Sequence, residues 1–273
     1  MNSRSLLVIF TLLLCACSGN PDKPQELTER EYYEQARESL DNNNFLSATE
    51  KLRQLESRYP FGRYAEQAQL ELIYAQYMMS DLEAVLATTE RFIRLHPLHE
   101  QVDYAYYMRG LATYEMGFAF AERYFESNIA QRDPTPMQDA FNHFSDLLTR
   151  FPDSPYTADA RARMVYLQQR MASHEIGVAQ YYMKRHAYLA AANRCENVLL
   201  HYQKTPSVAD ALAIQVEAYR LLGLNKESGQ ALALLKLNYP EHPQLKGGEF
   251  KDSGLAMVDR RSFWNIISFG LLD

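Results

Sequence analysis

The cluster of side chains that most resembles a metal site lies at His96-Pro97-Leu98-His99-Glu100. Zinc hydrolases place two histidines on one face of a continuous helix, so that both rings reach the same ion. Pro97 prevents that helix between His96 and His99, because proline lacks a backbone N–H and clashes with the turn before it. We therefore expect no metal at this cluster.

The other residue patterns of catalytic sites are missing from the sequence. There is no glycine-rich phosphate loop, no Gly-x-Ser-x-Gly elbow and no Cys-x-x-Cys pair. Glu122 and Glu126 lie one helical turn apart beside Arg123, which is typical of a solvated helix face. The sequence predicts a protein that is not an enzyme and that binds neither a metal nor a dissociable cofactor.

The composition favours a helical protein that does not bind nucleic acid. The 28 basic and 34 acidic side chains give a net charge of −6. Nucleic acid binding needs clustered lysine and arginine to displace counterions, and this balance disfavours it. Eleven glycines and eleven prolines are few for an all-β chain with many turns, and 47% hydrophobic residues are ample for a core.

Residues 1–16 have the three parts of a secretory signal peptide. Arg4 supplies a positive charge, an unbroken apolar run covers residues 6–14, and the small residue Ala16 precedes Cys17. The run is shorter than the roughly 20 apolar residues that span a bilayer. The sequence therefore predicts export of the chain and removal of this segment.

The sequence Leu14-Cys15-Ala16-Cys17 resembles a bacterial lipobox, in which cleavage precedes a lipid-modified cysteine. Cys15 departs from the usual pattern, which has a small or β-branched residue there. We expect diacylglycerol and an N-acyl chain on Cys17, followed by a tether over residues 17–27. Ser18, rather than an acidic residue, predicts transport to the outer membrane. An ordinary signal peptide with an incidental cysteine is the alternative.

The chain after the tether repeats one pattern. Each repeat ends in a pair of residues whose second member serves as an anchor, namely Pro60, Pro97, Pro152, Gln203 or Pro240. Mostly large residues recur five and eight positions before the anchor, small ones twelve before it, and alanine eight after the first four anchors. These offsets share one face of a helix, where small residues let a second helix cross closely.

This periodicity predicts an all-α fold, a superhelical array of about five tetratricopeptide (TPR) helix pairs, or ten helices, over residues 28–240. Turns are expected at 41–44, 80–81 and 222–225. Extra residues around 117–137 stretch the third pair, and those around 171–184 are expected to lengthen helices of the fourth. A plain helical bundle with coincidental spacing is the alternative.

Cys195 falls on a core position of the repeat, eight residues before an anchor. Since Cys15 leaves with the signal and Cys17 carries lipid, Cys195 has no cysteine partner and we expect no intrachain disulfide. A buried packing thiol is the favoured interpretation, and a reactive thiol is the alternative.

A curved array of helix pairs offers a concave wall formed by the first helix of each pair. Tyrosines expected on these helices could bind apolar or β-prone segments, or could be wedges between neighbouring pairs: Tyr74, Tyr77, Tyr104, Tyr107 and Tyr114. Beyond the last pair, the largely apolar residues 263–272 could cap the final helix, bind a partner or touch the membrane.

Several stretches of the sequence resemble the BamD family of lipoproteins, also called the competence lipoprotein family. They are residues 58–62 (RYPFG), 91–97 (RFIRLHP), 103–104 (DY), 107–111 (YMRGL), 132–134 (RDP) and 193–194 (NR). Behind a lipobox and in this order, they extend the similarity over nearly the whole mature chain. The resemblance implies a non-catalytic role at the periplasmic face of the outer membrane, in the folding and insertion of β-barrel proteins by the BAM complex.

The resemblance also implies partners for the two halves of the chain. In the family, the C-terminal pairs, here residues 118–243, hold a POTRA domain of the barrel protein BamA, and the arginine that matches Arg194 contacts it. Because Arg194 takes a surface position beside the core residue Cys195, an ion pair with a partner carboxylate is feasible, and a merely solvated arginine is the alternative. Other BAM lipoproteins are further implied partners, with no role assigned to the C-terminal tail, residues 244–273.

The N-terminal pairs, residues 28–117, are implied to bind unfolded outer-membrane β-barrel substrates. Candidate contacts in this half are Tyr59, Phe61, Tyr74 and Tyr77. Two other functions stay open from the repeat pattern alone. A TPR lipoprotein could be a pilotin that carries a secretin to the outer membrane, or a scaffold for cell-wall enzymes during division.

Overall fold

The computed structural model describes residues 27–122 and 133–257, and in this part of the chain it shows ten α-helices and no strand. The helices are α1 (Glu29–Asp41), α2 (Phe45–Arg58), α3 (Ala65–Met78), α4 (Leu82–Leu95), α5 (Val102–Glu122), α6 (Thr135–Arg150), α7 (Thr157–Lys184), α8 (Tyr188–His201), α9 (Ser207–Leu221) and α10 (Asn225–Asn238). Two short 3-10 turns follow, Pro243–Leu245 and Leu255–Met257. The predicted all-α fold class is confirmed.

The second helix of each pair, from α2 to α10, ends in the same way. Its C-cap is the residue just before the anchor, with φ between −126° and −136°. The N–H of this residue donates to the carbonyl four residues earlier, on Leu55, Phe92, Leu147, Val198 or Leu235. These acceptors are the residues that stand five before each anchor, so the anchors mark the ends of the second helices.

The repeat positions form the core. The five residues at the position five before the anchor are all 0% exposed, and the residues twelve before it are buried as well. The alanines eight after the anchors are at most 1% exposed: Ala68, Ala105, Ala160 and Ala211. Leu232 of α10 differs, being only partly buried at the edge of the cluster that α9 and α10 form. Small side chains therefore lie where helices pack closely.

The turns between paired helices fall where the sequence predicts them. Asn43, Ser80 and Gly223 have positive φ values of 56°, 58° and 75°, which reverse the chain sharply. The predicted lengthening of the fourth pair is also confirmed, because α7 has 28 residues whereas α2 has 14. In the third pair, Pro134 stands immediately before α6, and residues 123–132 lie outside the described part.

The chain forms two compact units that divide between Ala75 and Gln76. In the first unit, α1 and α2 are antiparallel, since the Tyr32 ring near the start of α1 lies 6.5 Å from the Tyr59 ring after the end of α2. In the second unit, α9 and α10 are antiparallel too, since the hydroxyl of Ser228 donates to the Val216 carbonyl across their turn. The predicted functional halves, 28–117 and 118–243, are a separate division and stay a prediction.

Residues 246–257, here called the C-terminal strap, pack on helices of the second unit. Ser253 donates from its backbone N–H and its hydroxyl to the Glu217 carboxylate of α9, at 3.0 and 2.7 Å. Leu255 packs against a buried cluster formed by α7, α8 and α9. The apolar residues 263–272, predicted as a possible cap, lie outside the described residues.

Candidate binding surfaces

The turn of residues 59–64 joins α2 to α3 and carries two of the predicted substrate contacts. Tyr59 is half-buried, and its hydroxyl donates to the Leu27 carbonyl at 3.0 Å. Phe61 is 100% exposed. Tyr59 therefore holds the chain that enters α1, whereas the ring of Phe61 is available to a partner.

Tyr74, the third predicted contact, lies on the exposed surface of α3. Its side chain is 42% exposed, and its ring packs edge-on against Phe45 of α2, with 6.0 Å between the ring centres. The Tyr74 ring thus packs against Phe45 while part of it stays exposed to solvent. Such a ring can contact an apolar segment of a partner.

Tyr77, the fourth predicted contact, is bound within the chain. Its hydroxyl donates to the Glu115 carboxylate of α5. Burial, together with this hydrogen bond, raises the pKa of Tyr77 to about 12. Tyr77 therefore joins the first helices of two successive pairs, which is the wedge role that stood as the alternative for these tyrosines.

Tyr107 of α5 joins the next helix pair in the same manner. Its hydroxyl donates to Asp159 of α7 at 2.9 Å, and Arg163 approaches the same carboxylate at 2.5 Å. The Tyr107 ring stacks on Tyr156 at 4.7 Å. Tyr114 lies beneath the guanidinium of Arg163, 4.8 Å from its ring centre. These two tyrosines therefore contact neighbouring helices, and both are partly buried.

Arg194 lies on the surface of α8, as its place beside the buried Cys195 predicts. Its side chain is 44% exposed and its Nη1 reaches the Glu175 carboxylate of α7 at 3.3 and 3.5 Å. Both contacts use one terminal nitrogen, at long hydrogen-bond distances. Since a guanidinium has five N–H donors, the Nη2 side keeps a pair of donors for a second carboxylate.

A cavity of about 280 Å³ opens beside the Glu175 carboxylate, between the start of α6, the middle of α7 and the end of α8. Its lining residues are Pro134, Thr135, Gln138, Asp139, Met171, His174, Glu175 and Tyr202. The side chain of Glu175, one of these lining residues, is only 12% exposed. Arg194 therefore contacts a residue that lines a concave surface, which a side chain of a partner could enter.

The other side chains that could do chemistry, one cysteine and two histidines, are in contact with neighbouring residues of the fold. Cys195 is buried, and burial raises the pKa of its thiol, with a contribution from nearby Glu175 in the same direction. His96 and His99 pack against the Phe92 ring, and His99 accepts a hydrogen bond from the Gln101 N–H. Within residues 27–122 and 133–257, no group of three potential metal ligands occurs. Cys17, the predicted lipidation site, lies outside these ranges.

The sequence analysis did not predict the roles of three acidic residues that pair with residues of other elements: Glu71, Glu175 and Glu217. Glu71 of α3 is 7% exposed and accepts hydrogen bonds from Tyr33 and Arg37 of α1. Glu217 binds the C-terminal strap. Gln67, four residues earlier, also donates to Glu71, but the partners of the three acidic residues on other elements are 19 or more positions away in the chain. A local sequence pattern carries no signal for such pairs.

Comparison with known proteins assigns the family. The chain matches the family described as YfiO, outer membrane lipoprotein, over residues 25–234. Outer membrane protein assembly factor BamD of Vibrio cholerae serotype O1 is 42% identical over 226 residues, or 83% of this chain and 94% of the relative. Proteins of the same name from Neisseria meningitidis serogroup A and Pasteurella multocida are 39% and 34% identical, over 86% and 87% of this chain and 90% and 91% of each relative.

No helix in the described ranges is both long and apolar enough to cross a membrane. The resemblance noted in the sequence is confirmed over most of the chain, and the chain belongs to the YfiO family of outer membrane lipoproteins, which its BamD relatives represent.

Proposed function

We propose that this chain is a periplasmic lipoprotein, anchored to the outer membrane through Cys17, that assists the assembly of outer-membrane β-barrel proteins. The observation that carries the proposal is its identity of 34–42% with three assembly factors named BamD, along more than four fifths of its length. A scaffold of helix pairs that presents binding surfaces fits such a role, and it acts without catalysis.

Binding to a POTRA domain of BamA is assigned to the surface around Arg194. The guanidinium is exposed, and its weak contact with Glu175 leaves donors for a partner carboxylate. The cavity between α6, α7 and α8, which Glu175 lines, offers a second, shape-dependent contact. A bidentate arginine–carboxylate pair gives both strength and orientation to such an interface.

Binding of unfolded barrel segments is assigned to aromatic side chains of the N-terminal pairs. Tyr74 contributes an exposed ring on α3. Tyr59 and Tyr77 are partly buried, and their hydroxyls are bound to the Leu27 carbonyl and the Glu115 carboxylate, so they contribute less than Tyr74 does. An exposed aromatic surface suits β-strand segments that alternate apolar and polar residues.

Affinity purification of the mature protein from detergent-solubilised envelopes tests this function. We expect a β-barrel protein with POTRA domains among the co-purified proteins, and the Arg194→Glu variant to lose most of it. Arg161→Glu, an exposed charge reversal on α7, is the matched control and is expected to retain the partner. A secretin ring or a set of cell-wall enzymes in place of the barrel protein would contradict the proposal.

Site-specific photocrosslinking tests the substrate surface. A crosslinker at Tyr74 is expected to capture nascent barrel segments, whereas one at Arg161, on another helix, is not. The Tyr74→Ala variant should lower capture by a crosslinker placed on a neighbouring exposed position of α3. Unchanged capture would exclude Tyr74 from the substrate surface and leave the partner interface at Arg194 unaffected.

A further inference from the structure

Phe61 is the most exposed large apolar side chain in the described part of the chain, at 100%. It lies between Pro60 and Gly62 at the tip of the turn that follows α2. A ring that is fully exposed to water contributes nothing to the buried apolar area that stabilises the fold. Folding therefore does not account for an aromatic residue at this position.

The turn beneath Phe61 is held in one conformation by several contacts. Glu29 of α1 accepts a hydrogen bond from the Tyr64 N–H at 2.6 Å, and the Tyr33 ring stacks on the Tyr64 ring at 4.5 Å. A Cβ atom at Gly62 would collide with the Glu29 carboxylate, so the close approach of these two residues requires glycine. The exposed ring is thus presented by a preorganised turn, which lowers the entropic cost of binding.

Two arginines flank the exposed ring. Arg58 and Arg63 are both exposed, and their guanidinium carbons lie 5.8 Å and 5.9 Å from the ring centres of Tyr32 and Tyr64. Stacking on aromatic rings restrains the arginines while their side chains stay accessible to solvent. The turn therefore combines an apolar tip with a positive charge on either side.

The same position in the other repeats shows that the fold does not impose an apolar tip. One residue after each of the later anchors stand Leu98, Asp153, Lys204 and Glu241. Three of these four are charged, and Asp153 is exposed like Phe61. An apolar tip is therefore a property of the pairs nearest to Cys17 in the chain.

We propose that the Phe61 turn, residues 58–63, docks on the phospholipid surface of the membrane that holds the anchor. Phe61 enters the boundary between headgroups and acyl chains, while Arg58 and Arg63 bind lipid phosphates. This inference rests on the proposed lipidation of Cys17. A protein segment suits the turn less well, because a ring without neighbours offers no concave wall to receive a side chain.

The position of the turn relative to the tether also supports docking on the membrane. The hydroxyl of Tyr59 holds the Leu27 carbonyl, so the turn lies beside the point where the chain enters α1 from the tether. Leu27 is ten positions after Cys17 in the chain, and this stretch reaches at most about 36 Å when fully extended. A lipid on Cys17 therefore keeps the turn within a few tens of ångströms of the bilayer, where even one ring and two arginines bind at high effective concentration.

Fluorescence quenching by brominated lipids tests the docking. The lipidated full-length protein carries Phe61→Trp in a Trp264→Phe background, which removes its single natural tryptophan. It is reconstituted into vesicles of phosphatidylethanolamine and phosphatidylglycerol with brominated acyl chains. We expect about a two-fold loss of emission from the introduced indole, since an interfacial ring lies roughly 5–10 Å deep. Asp153→Trp in the same background is the matched control and should keep its emission.

Flotation of the vesicles separates the two parts of the inference. If the protein floats and the indole introduced by Phe61→Trp is not quenched, the docking is wrong although the anchor stands. If the protein does not float, the proposed lipid anchor on Cys17 is wrong. Quenching in the presence of excess vesicles then tests the docking of Phe61 independently of the anchor. The Arg63→Gln substitution is expected to weaken the quenching. Vesicles made of phosphatidylcholine alone are expected to quench the indole less than the vesicles that contain phosphatidylglycerol. Emission that changes only with a urea-denatured barrel protein, and not with vesicles, would overturn the proposal and assign the turn to substrate.

Discussion

The phenol of Tyr77 on α3 donates a hydrogen bond to the carboxylate of Glu115 on α5, and so joins the first helices of two successive pairs. The same relationship recurs between Tyr107 of α5 and Asp159 of α7 at 2.9 Å. In the other compact unit, Tyr33 of α1 donates to Glu71 of α3 at 2.8 Å. Within each unit, tyrosine–carboxylate pairs therefore join the first helix of one pair to the first helix of the next.

Replacing Tyr77 and Tyr74 by phenylalanine is expected to have different effects on stability. Tyr77→Phe removes the donor to the partly buried Glu115 carboxylate, which should cost about 1–3 kcal/mol. Tyr74→Phe should change the free energy of unfolding by less than about 0.5 kcal/mol, because the side chain is exposed. Urea denaturation measures both. Equal stabilities of the two variants would show that the Tyr77–Glu115 hydrogen bond does not stabilise the fold.

The same tyrosines predict a loss of stability at high pH. Burial and the hydrogen bonds to carboxylates raise the pKa of Tyr33, Tyr77 and Tyr107 to about 12. Tyrosine in the unfolded chain has a pKa near 10, so the folded state holds these protons more tightly. Their contribution is complete below about pH 10 and is lost as the pH rises from about 10 to about 12.

Chemical denaturation at a series of alkaline pH values measures this dependence. The double variant Tyr77→Phe/Tyr107→Phe is expected to show a shallower fall in the free energy of unfolding than the wild type, because two of the titrating groups are gone. A slope identical to that of the wild type would assign the alkaline loss to other groups.

The fold was predictable to the extent that it depends on periodicity along the chain. Ala160 and Ala211, eight residues after their anchors, are 0% exposed because a crossing helix leaves no room for a larger side chain at those offsets. For Arg194, the sequence predicted that the side chain is exposed but not which residue of the chain it contacts. Its partner Glu175 lies on another helix, 19 residues earlier, and the pairing depends on how α7 and α8 pack. Pairs of this kind arise from tertiary structure, so a periodic pattern contains no record of them.

Enlarging an alanine at a crossing position should destabilise the protein. Ala160→Leu adds bulk to a fully buried site on α7 and is expected to cost about 1–3 kcal/mol. Ala162→Leu, two residues away on the same helix, is the control, since Ala162 is exposed and leucine is also a good helix former. Thermal unfolding followed by circular dichroism distinguishes them. An Ala160→Leu variant as stable as the control would contradict close packing at the crossing.

Two glycines predict opposite responses to alanine. Gly62→Ala displaces only the flexible end of the Glu29 side chain, so its cost is limited to the hydrogen bond with the Tyr64 N–H, about 0.5–1.5 kcal/mol. Gly229→Ala, within α10, meets nothing within 4 Å and should stabilise the protein by about 0.5–1 kcal/mol, because glycine is a poor helix former. Denaturation midpoints provide the comparison, and a Gly62→Ala variant of wild-type stability would show that Glu29 does not hold the turn.

The ion pair between Glu175 and Arg194 predicts how the proposed POTRA interface responds to mutation. Glu175→Gln removes the charge that competes for the guanidinium, so binding of a soluble POTRA domain is expected to strengthen. The gain should not exceed about five-fold, since the contact is long and its arginine is exposed, and ion pairs of that kind contribute about 0–1 kcal/mol. Arg194→Lys should weaken binding, because an ammonium cannot form the bidentate pair. Isothermal titration calorimetry measures both, and weaker binding of Glu175→Gln would mean that Glu175 orients Arg194 for the partner rather than competing with it.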